Sequence, residues 1–333
     1  MQLDQPLQAR KIKRFKRITA WSFYSKEFIF KGGKNWIEMI DFFKARIVGY
    51  PVSKFLANPK LKFEFKNLPG TEYWDKRKQL ADLNSLELIV YHSGTIILKG
   101  SIHKYANKDL SNWDQFNFSR LRENLAKVLD LLEIEPECIF IQNLETGVNI
   151  RPPQPTRRIL EGLISYKTTP FVVPKTNSKG KGLIHPVKFI REAPIEDKSI
   201  KVYDKALEYN LPSQVLRYEI KLKRSREIKK IGITTFADLF DTTWQPRSRD
   251  LLLTTWDQII FVDPGLKECN LNRYQLETKY HQWRDYSYWI SLNKFSRSRQ
   301  RQYLENLSRG NSLEAKERLR AEISTTWENL CLT

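Results

Sequence analysis

Apolar and polar positions repeat with two periods along the chain. Residues 61–65 (LKFEF) alternate, which predicts a strand. Residues 86–91 (LELIVY) and 95–99 (TIILK) are strand-like runs separated by His92, Ser93 and Gly94, a hairpin-sized connection. The second run is expected to continue through 100–107 (GSIHKYAN), with Ile97, Lys99, Ser101, His103 and Tyr105 on one face. Residues 119–132 place Leu121, Leu125, Val128, Leu129 and Leu132 on one stripe, which predicts an amphipathic helix capped by Ser119. Residues 138–150 (CIFIQNLETGVNI) read as a strand with a bulge at Gly147, and 156–165 as a second helix.

Further on, the stretch 168–194 is rich in Pro, Gly, Lys and Ser and reads as strands around a loop at 176–182. Residues 199–205 (SIKVYDK) and 215–223 (VLRYEIKLK) alternate as strands. The remainder is mostly helical, with candidates at 224–230, 235–240, 249–261, 286–293, 297–307 and 312–330. Hairpins outnumber crossovers in this pattern. The expected fold is therefore α+β, a central antiparallel sheet with helices packed on it and a helical C-terminal region. The organisation reads as a basic arm at 1–36, a core at 37–265 and a helical region at 266–333.

Charge narrows the choice of partner. Fifty-seven Lys and Arg against 38 Asp and Glu leave a net charge of +19 over 333 residues, which favours a polyanion, nucleic acid first. Apolar residues at 41% supply a core, so wholesale disorder is excluded. No apolar run approaches the ~18 residues of a membrane span. The first ten residues lack the apolar stretch of a signal peptide. Cys138, Cys269 and Cys331 are odd in number and scattered, which argues against a disulfide framework and fits the cytoplasm. No membrane partner is expected. No phosphate-binding loop, dinucleotide fingerprint or nucleophile elbow occurs, and His92, His103, His185 and His281 have no zinc-site spacing.

Three segments carry polar residues where a strand would more cheaply carry apolar ones. His103 lies on a basic face with Lys99 and Lys104 nearby. Glu145 interrupts an apolar strand, where a carboxylate needs a partner or a metal if it is buried. Tyr203 falls between Lys201 and Lys205, an environment expected to favour its phenolate and to hold a phosphate. Each has an ordinary reading as a surface histidine, an edge carboxylate or a sheet tyrosine. Together they are the parts of a phosphodiester transfer: a histidine and a carboxylate holding Mg²⁺ or Mn²⁺, and a tyrosine nucleophile.

With SIKVYDKALEY, VLRYEIKLKRSREIKKIGI and TTFADLFD in place, residues 199–241 resemble the equivalent stretch of the filamentous-phage gene II replication initiators, rolling-circle nickases related to the HUH endonucleases. The order of motifs agrees over about 85–265. The resemblance implies that Tyr203 nicks one strand at an origin, leaving a 5′-phosphotyrosine and a 3′-hydroxyl primer. Lys205 is then the basic residue two positions on, and His103 and Glu145 are metal-site candidates for Mg²⁺ or Mn²⁺. It also implies single- and double-stranded origin DNA, a host helicase and a host polymerase as partners. The sequence departs from the HUH pattern in having one histidine where that pattern has two. Asn107, His92 and Glu64 are each open as the completing ligand, and Tyr209 is a candidate for strand transfer.

Lys99, Lys104, Arg217, Lys221, Lys223, Arg224, Arg226 and Lys229 are the expected DNA contacts. The same charges fit a solvated face, and Arg217 and Glu219 fit a structural pair. Aromatics and arginines alternate in the C-terminal region, at Tyr286, Tyr288, Trp289 and Phe295 and then Arg297, Arg299, Arg301 and Arg309, a composition suited to stacking on unpaired bases. The competing functional reading is a sequence-specific DNA-binding replication protein that does not cut.

Overall fold

In the computed structural model, residues 39–67, 74–109, 111–174 and 189–332 are described. The expected arm at 1–36 and the expected loop at 176–182 lie outside them. The chain begins with strand β1 (Ile40–Ile47), a short helix α1 (Val52–Leu56) and the two-residue strand β2 (Phe63–Glu64). Strands β3 (Lys78–Asp82), β4 (Leu86–Tyr91) and β5 (Ile96–Ser101) follow as a meander, with the expected hairpin between β4 and β5.

The strand expected to run on through His103 stops at Ser101. Residues Ile102–Ala106 form helix α2 instead, because the Ser101 hydroxyl caps it by accepting from the Lys104 amide. Helix α3 (Phe118–Leu132) begins one residue earlier than expected. Its cap is Asn117, which accepts from the Arg120 amide, rather than Ser119. The predicted stripe is buried at Leu121, Leu125, Val128 and Leu132, each stabilising the fold by roughly 1.5–3 kcal/mol.

The long strand β6 (Ile139–Ile150) leads to helix α4 (Thr156–Gly162), shorter than expected because the chain turns extended in β7 (Leu163–Tyr166). Strands β8 (Thr169–Pro170), β9 (Ile190–Pro194) and β10 (Lys198–Asp204) follow, then α5 (Lys205–Tyr209), β11 (Leu216–Leu222) and α6 (Ser225–Lys230). The rest comprises α7 (Trp244–Asp257), β12 (Ile259–Phe261), α8 (Tyr280–Arg284), α9 (Tyr286–Ser291), α10 (Lys294–Gly310) and α11 (Ala315–Leu332).

The fold is α+β. One antiparallel sheet has nine strands in the order β2-β3-β4-β5-β1-β6-β11-β10-β9, and a second has the order β12-β7-β8. Alternation divides the large sheet into two faces. Leu144, Val148, Ile200, Val202, Leu216, Tyr218 and Ile220 are buried on the core face. Helices close that face: the Tyr218 hydroxyl donates to the Leu252 carbonyl of α7, and the Tyr218 and Trp256 rings meet edge-on with centroids 5.3 Å apart. Trp244 of α7 in turn meets Trp327 of α11 edge-on at 6.2 Å. A smaller core of Ile164, Ile260, Val262, Tyr280, Trp283, Trp289 and Leu304 joins the three-stranded sheet to the C-terminal helices. Trp289 is therefore a core aromatic.

Candidate functional site

The opposite face of the large sheet carries a band of polar side chains across β1, β6, β11 and β10. Register sets this band: Lys221 lies opposite Glu145, Glu219 opposite Gly147, Arg217 opposite Asn149, Lys201 opposite Glu219 and Tyr203 opposite Arg217. At this depth polar groups pair with one another. Asp41, Glu145 and Glu219 each place a carboxylate oxygen within 4.8 Å of the other two.

Asp41 reaches the cluster through a bulge. Ile40 pairs with Thr146 and Phe43 with Leu144, so two residues of β1, Asp41 and Phe42, face the single residue Glu145. Without it, alternation would put Asp41 on the core face with Phe43 and Ala45. The bulge expected at Gly147 is absent. Gly147 instead leaves room for its neighbour, since a Cβ there would lie 2.4 Å from the Tyr218 carbonyl oxygen and 2.8 Å from the Glu219 Cβ.

Cations answer each carboxylate. Lys221 Nζ is 2.7 Å from Glu145, and Lys201 Nζ and Arg217 Nε are 3.4 and 3.2 Å from Glu219. Asp41 accepts from the Ser101 hydroxyl at 2.5 Å and from the Asn112 amide at 2.9 Å. Asn112 also accepts from Lys205 Nζ at 2.8 Å and from the Tyr209 hydroxyl at 2.5 Å. Burial raises the Asp41 carboxyl, but the nearby Lys205 and Arg217 charges and the Ser101 hydroxyl win and hold it at about 2. Glu145 is pushed up, by burial first and then by the Glu219 charge. Glu219 is also opposed by burial, yet Lys201 and Arg217 bring it below the ordinary value. Burial and charge thus favour the anionic form of Asp41 and Glu219 and oppose that of Glu145.

Tyr203 is 9% exposed, and its hydroxyl donates to Glu219 Oε2 at 3.4 Å. The expectation of a favoured phenolate is corrected. Burial and the Glu219 charge push the phenol well above its ordinary value, with Arg217 opposing them. The two lysines that flank Tyr203 in sequence are engaged elsewhere, Lys201 with Glu219 and Lys205 with Asn112 and, at 3.4 Å, Glu208. Lys205 does not share the strand face either. It opens α5, capped by Asp204, and its Nζ sits 5.7 Å from the Tyr203 ring centroid.

His103 is buried on α2, not on a strand. Its Nε2 meets Asp114 at 2.6 Å and its ring stacks on Phe116 at 4.5 Å. It is outside the carboxylate trio. Asn107 donates to Asp114 at 2.6 Å and accepts from Arg120 at 2.8 Å. Glu64 and His92 line a cavity at the far β2 edge of the sheet, four strands from β1 in the case of Glu64.

The expected DNA-contacting residues divide. Arg217 is fully buried. Lys221 is held by Glu145, Lys99 by Glu87 at 3.0 Å and Lys223 by the Ile195 carbonyl at 2.8 Å. Arg224 and Arg226 are exposed and meet Asp197, Lys229 is exposed, and Lys104 is half-buried on α2. The sequence reading missed Asp41, Lys201 as a partner of Glu219, Asn112 and Asp114. Asp41 did carry a signal, a lone acid in the apolar run MIDFF, the same kind that singled out Glu145.

No family model matches the chain, and no curated protein matches it. Among solved structures it is similar to a rolling circle replication initiator protein from Geobacillus stearothermophilus. The identity is 15%, over 64% of this chain and 83% of that one, with a TM-score of 0.36. Among the described residues no helix is long and apolar enough to cross a membrane.

Proposed function

We propose that the protein is a DNA strand-nicking and joining enzyme of the rolling-circle initiator type, with Tyr203 as nucleophile. The observation that carries this reading is the gathering of Tyr203, three carboxylates and the Lys201, Arg217 and Lys221 cations on one sheet face, with Lys205 of α5 reaching to 5.7 Å from the Tyr203 ring centroid. An all-oxygen donor set whose three oxygens lie within 4.8 Å of one another suits a hard divalent cation. Asp41, Glu145 and Glu219 would hold Mg²⁺ or Mn²⁺, with His103 on α2 outside the trio. Such an ion, when bound, supplies charge to polarise the scissile phosphate.

The chain's own residues supply the rest. Tyr203 Oη forms a bond to phosphorus as the bond from phosphorus to the 3′-oxygen breaks. The phenol proton passes to Glu219, whose Oε2 accepts from the Tyr203 hydroxyl at 3.4 Å. The leaving 3′-oxygen takes a proton from water and becomes a hydroxyl able to prime a polymerase. Lys205, near the Tyr203 ring, offsets negative charge gathering on the transferring phosphoryl group. Origin DNA, a host helicase and a host polymerase are the partners this role calls for.

One observation favours a second reading, a DNA-binding replication protein that does not cut. Each carboxylate already has a cation or a hydrogen-bond donor within the fold, which fits a structural network as well as a catalytic one. The deciding experiment incubates the protein with supercoiled DNA carrying the sequence that flanks its own gene, with Mn²⁺ or Mg²⁺. Relaxed circles with protein covalently attached, lost in Tyr203→Phe, are expected. Tight binding without relaxation under either ion would favour the second reading, and nicking that persists in Tyr203→Phe would remove the nucleophile assignment.

A further inference from the structure

A cavity of about 520 Å³ lies away from the carboxylate cluster, between the β7–β8 turn, the end of α7, β12 and α10. Lys167, Thr168, Gln258, Ile260, Lys294, Arg297, Ser298 and Arg301 line it. Four of these residues are cations and none is an acid. On α10 the lining residues are Lys294, Arg297, Ser298 and Arg301, spaced i, i+3, i+4 and i+7. Arg297 and Arg301 are half-buried there, while Lys294 and Ser298 are exposed at the opening. Like charges gathered in a concave space repel, so their placement is unfavourable unless an anion joins them.

Internal partners leave the charge largely uncompensated. Arg297 is fixed by neutral groups, its Nε donating to the Trp289 carbonyl at 2.8 Å and its Nη2 to the Leu292 carbonyl at 2.7 Å. Arg301 lies 3.9 Å from Glu305, but that carboxylate is held more closely by Lys316 at 2.7 Å. Arg301 Nε is buried and has no hydrogen-bond partner among the described residues. Lys294 and Lys167 are exposed at the rim. Lys167 occupies the first position of a two-residue hairpin turn with φ +53, a conformation ordinarily left to Gly or Asn. Its Nζ lies 5.4 Å from the Tyr166 ring centroid, a neutral partner that leaves its charge uncancelled.

We propose that this cavity is a phosphate-binding site that grips the backbone of a nucleic-acid strand. It is separate from the Tyr203 face and rests on the nucleic-acid part of the proposed function, not on strand cleavage. Arg297 and Arg301 are the fixed floor of the site, and Lys167 and Lys294 are the movable rim. Ile260 supplies an apolar wall and Ser298 a hydroxyl at the edge. The contacts go to phosphates, so the grip is independent of base sequence.

The test measures binding of fluorescein-labelled DNA by anisotropy in EDTA, on the full-length chain carrying Tyr203→Phe, so that cleavage plays no part. Salt is varied from 50 to 200 mM. Lys167→Ala with Lys294→Ala should lower the slope of log affinity against log salt by about 1.4 to 1.8, two phosphates' worth. Lys127→Ala, on an exposed face of α3, should leave the slope unchanged. Thermal melting of each variant verifies folding, and Lys167→Gln with Lys294→Gln serves if the alanine pair does not fold. An unchanged slope in the double variant would overturn the site. Stabilisation by inorganic tripolyphosphate that the double variant loses, with the DNA slope unchanged, would also overturn it and assign the cavity to a small polyphosphate. Failure of nicking in the Tyr203 experiment leaves this slope as it is, so the two proposals fail separately.

Discussion

The Tyr203 hydroxyl sits 3.4 Å from Glu219 Oε2, inside a sheet face that is closed to water at both residues. Burial and the Glu219 charge keep the phenol neutral, and Arg217 does not reverse them. Tyrosine ionisation followed at 295 nm, taken as the difference between wild type and Tyr203→Phe, should therefore have no transition at or below pH 10 without a divalent cation. With Mn²⁺ present, the transition should move to lower pH, because the added charge compensates Glu219 and the phenolate together. A transition below pH 10 in EDTA would contradict the electrostatics of this face.

Glu219 and Glu145 are close neighbours with opposite expected behaviour. Glu219→Gln leaves the fully buried Arg217 and the adjacent Lys201 without an anion, and a buried charge stripped of its partner costs about 3–5 kcal/mol. Glu145→Gln also removes an ion pair, but the Lys221 side chain is 28% exposed and can turn to water. It also relieves repulsion between Glu145 and Glu219. Its cost in cation-free buffer should be within about 1 kcal/mol. Urea unfolding at pH 7 checks both. Equal losses would mean that the two carboxylates are equivalent in the network.

Gly147 is a packing requirement of the site. Gly147→Ala brings a methyl group to 2.4 Å from the Tyr218 carbonyl oxygen and 2.8 Å from the Glu219 Cβ, and neither can swing away as a flexible side chain can. The central strands must shift, at a cost of about 1–3 kcal/mol or more. The urea midpoint should fall. If cleavage occurs it should fall further than stability accounts for, because Glu219 moves with the strand. An unchanged midpoint would show that β6 and β11 have slack at this point.

Much of this was legible in the sequence, and the failures have physical causes. A period of two placed β4, β5, β6, β10 and β11, and it put Tyr203, Arg217 and Glu219 on faces opposite their apolar neighbours, while Glu145 stood out only as an acid within an apolar strand. GSIHKYAN alternates too, but a serine that can cap a helix turned it into α2 and took His103 off the sheet. Asp41 was missed because its orientation comes from the β1–β6 bulge, a property of register that one strand read alone does not contain. Alternation also identified the polar face of β11 without identifying its cover. Asn112, linking Asp41, Lys205 and Tyr209 from a segment between helices, is part of that cover and has no periodic signal.

Cation binding should be coupled to Glu145. Its carboxyl is raised above the ordinary 4.5, so the folded protein keeps that proton to higher pH than the unfolded chain does. The resulting stabilisation is complete below pH 4.5 and is lost as pH rises through the raised value. Asp41 acts in the opposite sense. Lowered from 3.8 to about 2, it stabilises above 3.8 and that contribution is lost as pH falls through about 2. Above pH 4.5, then, Glu145 is the member of the pair that changes stability. A divalent cation held by Asp41, Glu145 and Glu219 must displace the Glu145 proton, so its affinity should increase with pH until Glu145 is ionised. Thermal melting with and without Mn²⁺ between pH 4.5 and 7.5 should show a Mn²⁺-dependent rise in Tm that grows with pH. At a hundredfold excess over Kd that rise corresponds to about 2.7 kcal/mol. Glu145→Gln should abolish both the rise and its pH dependence. A Mn²⁺ effect that is flat with pH and survives in Glu145→Gln would move the cation away from this face.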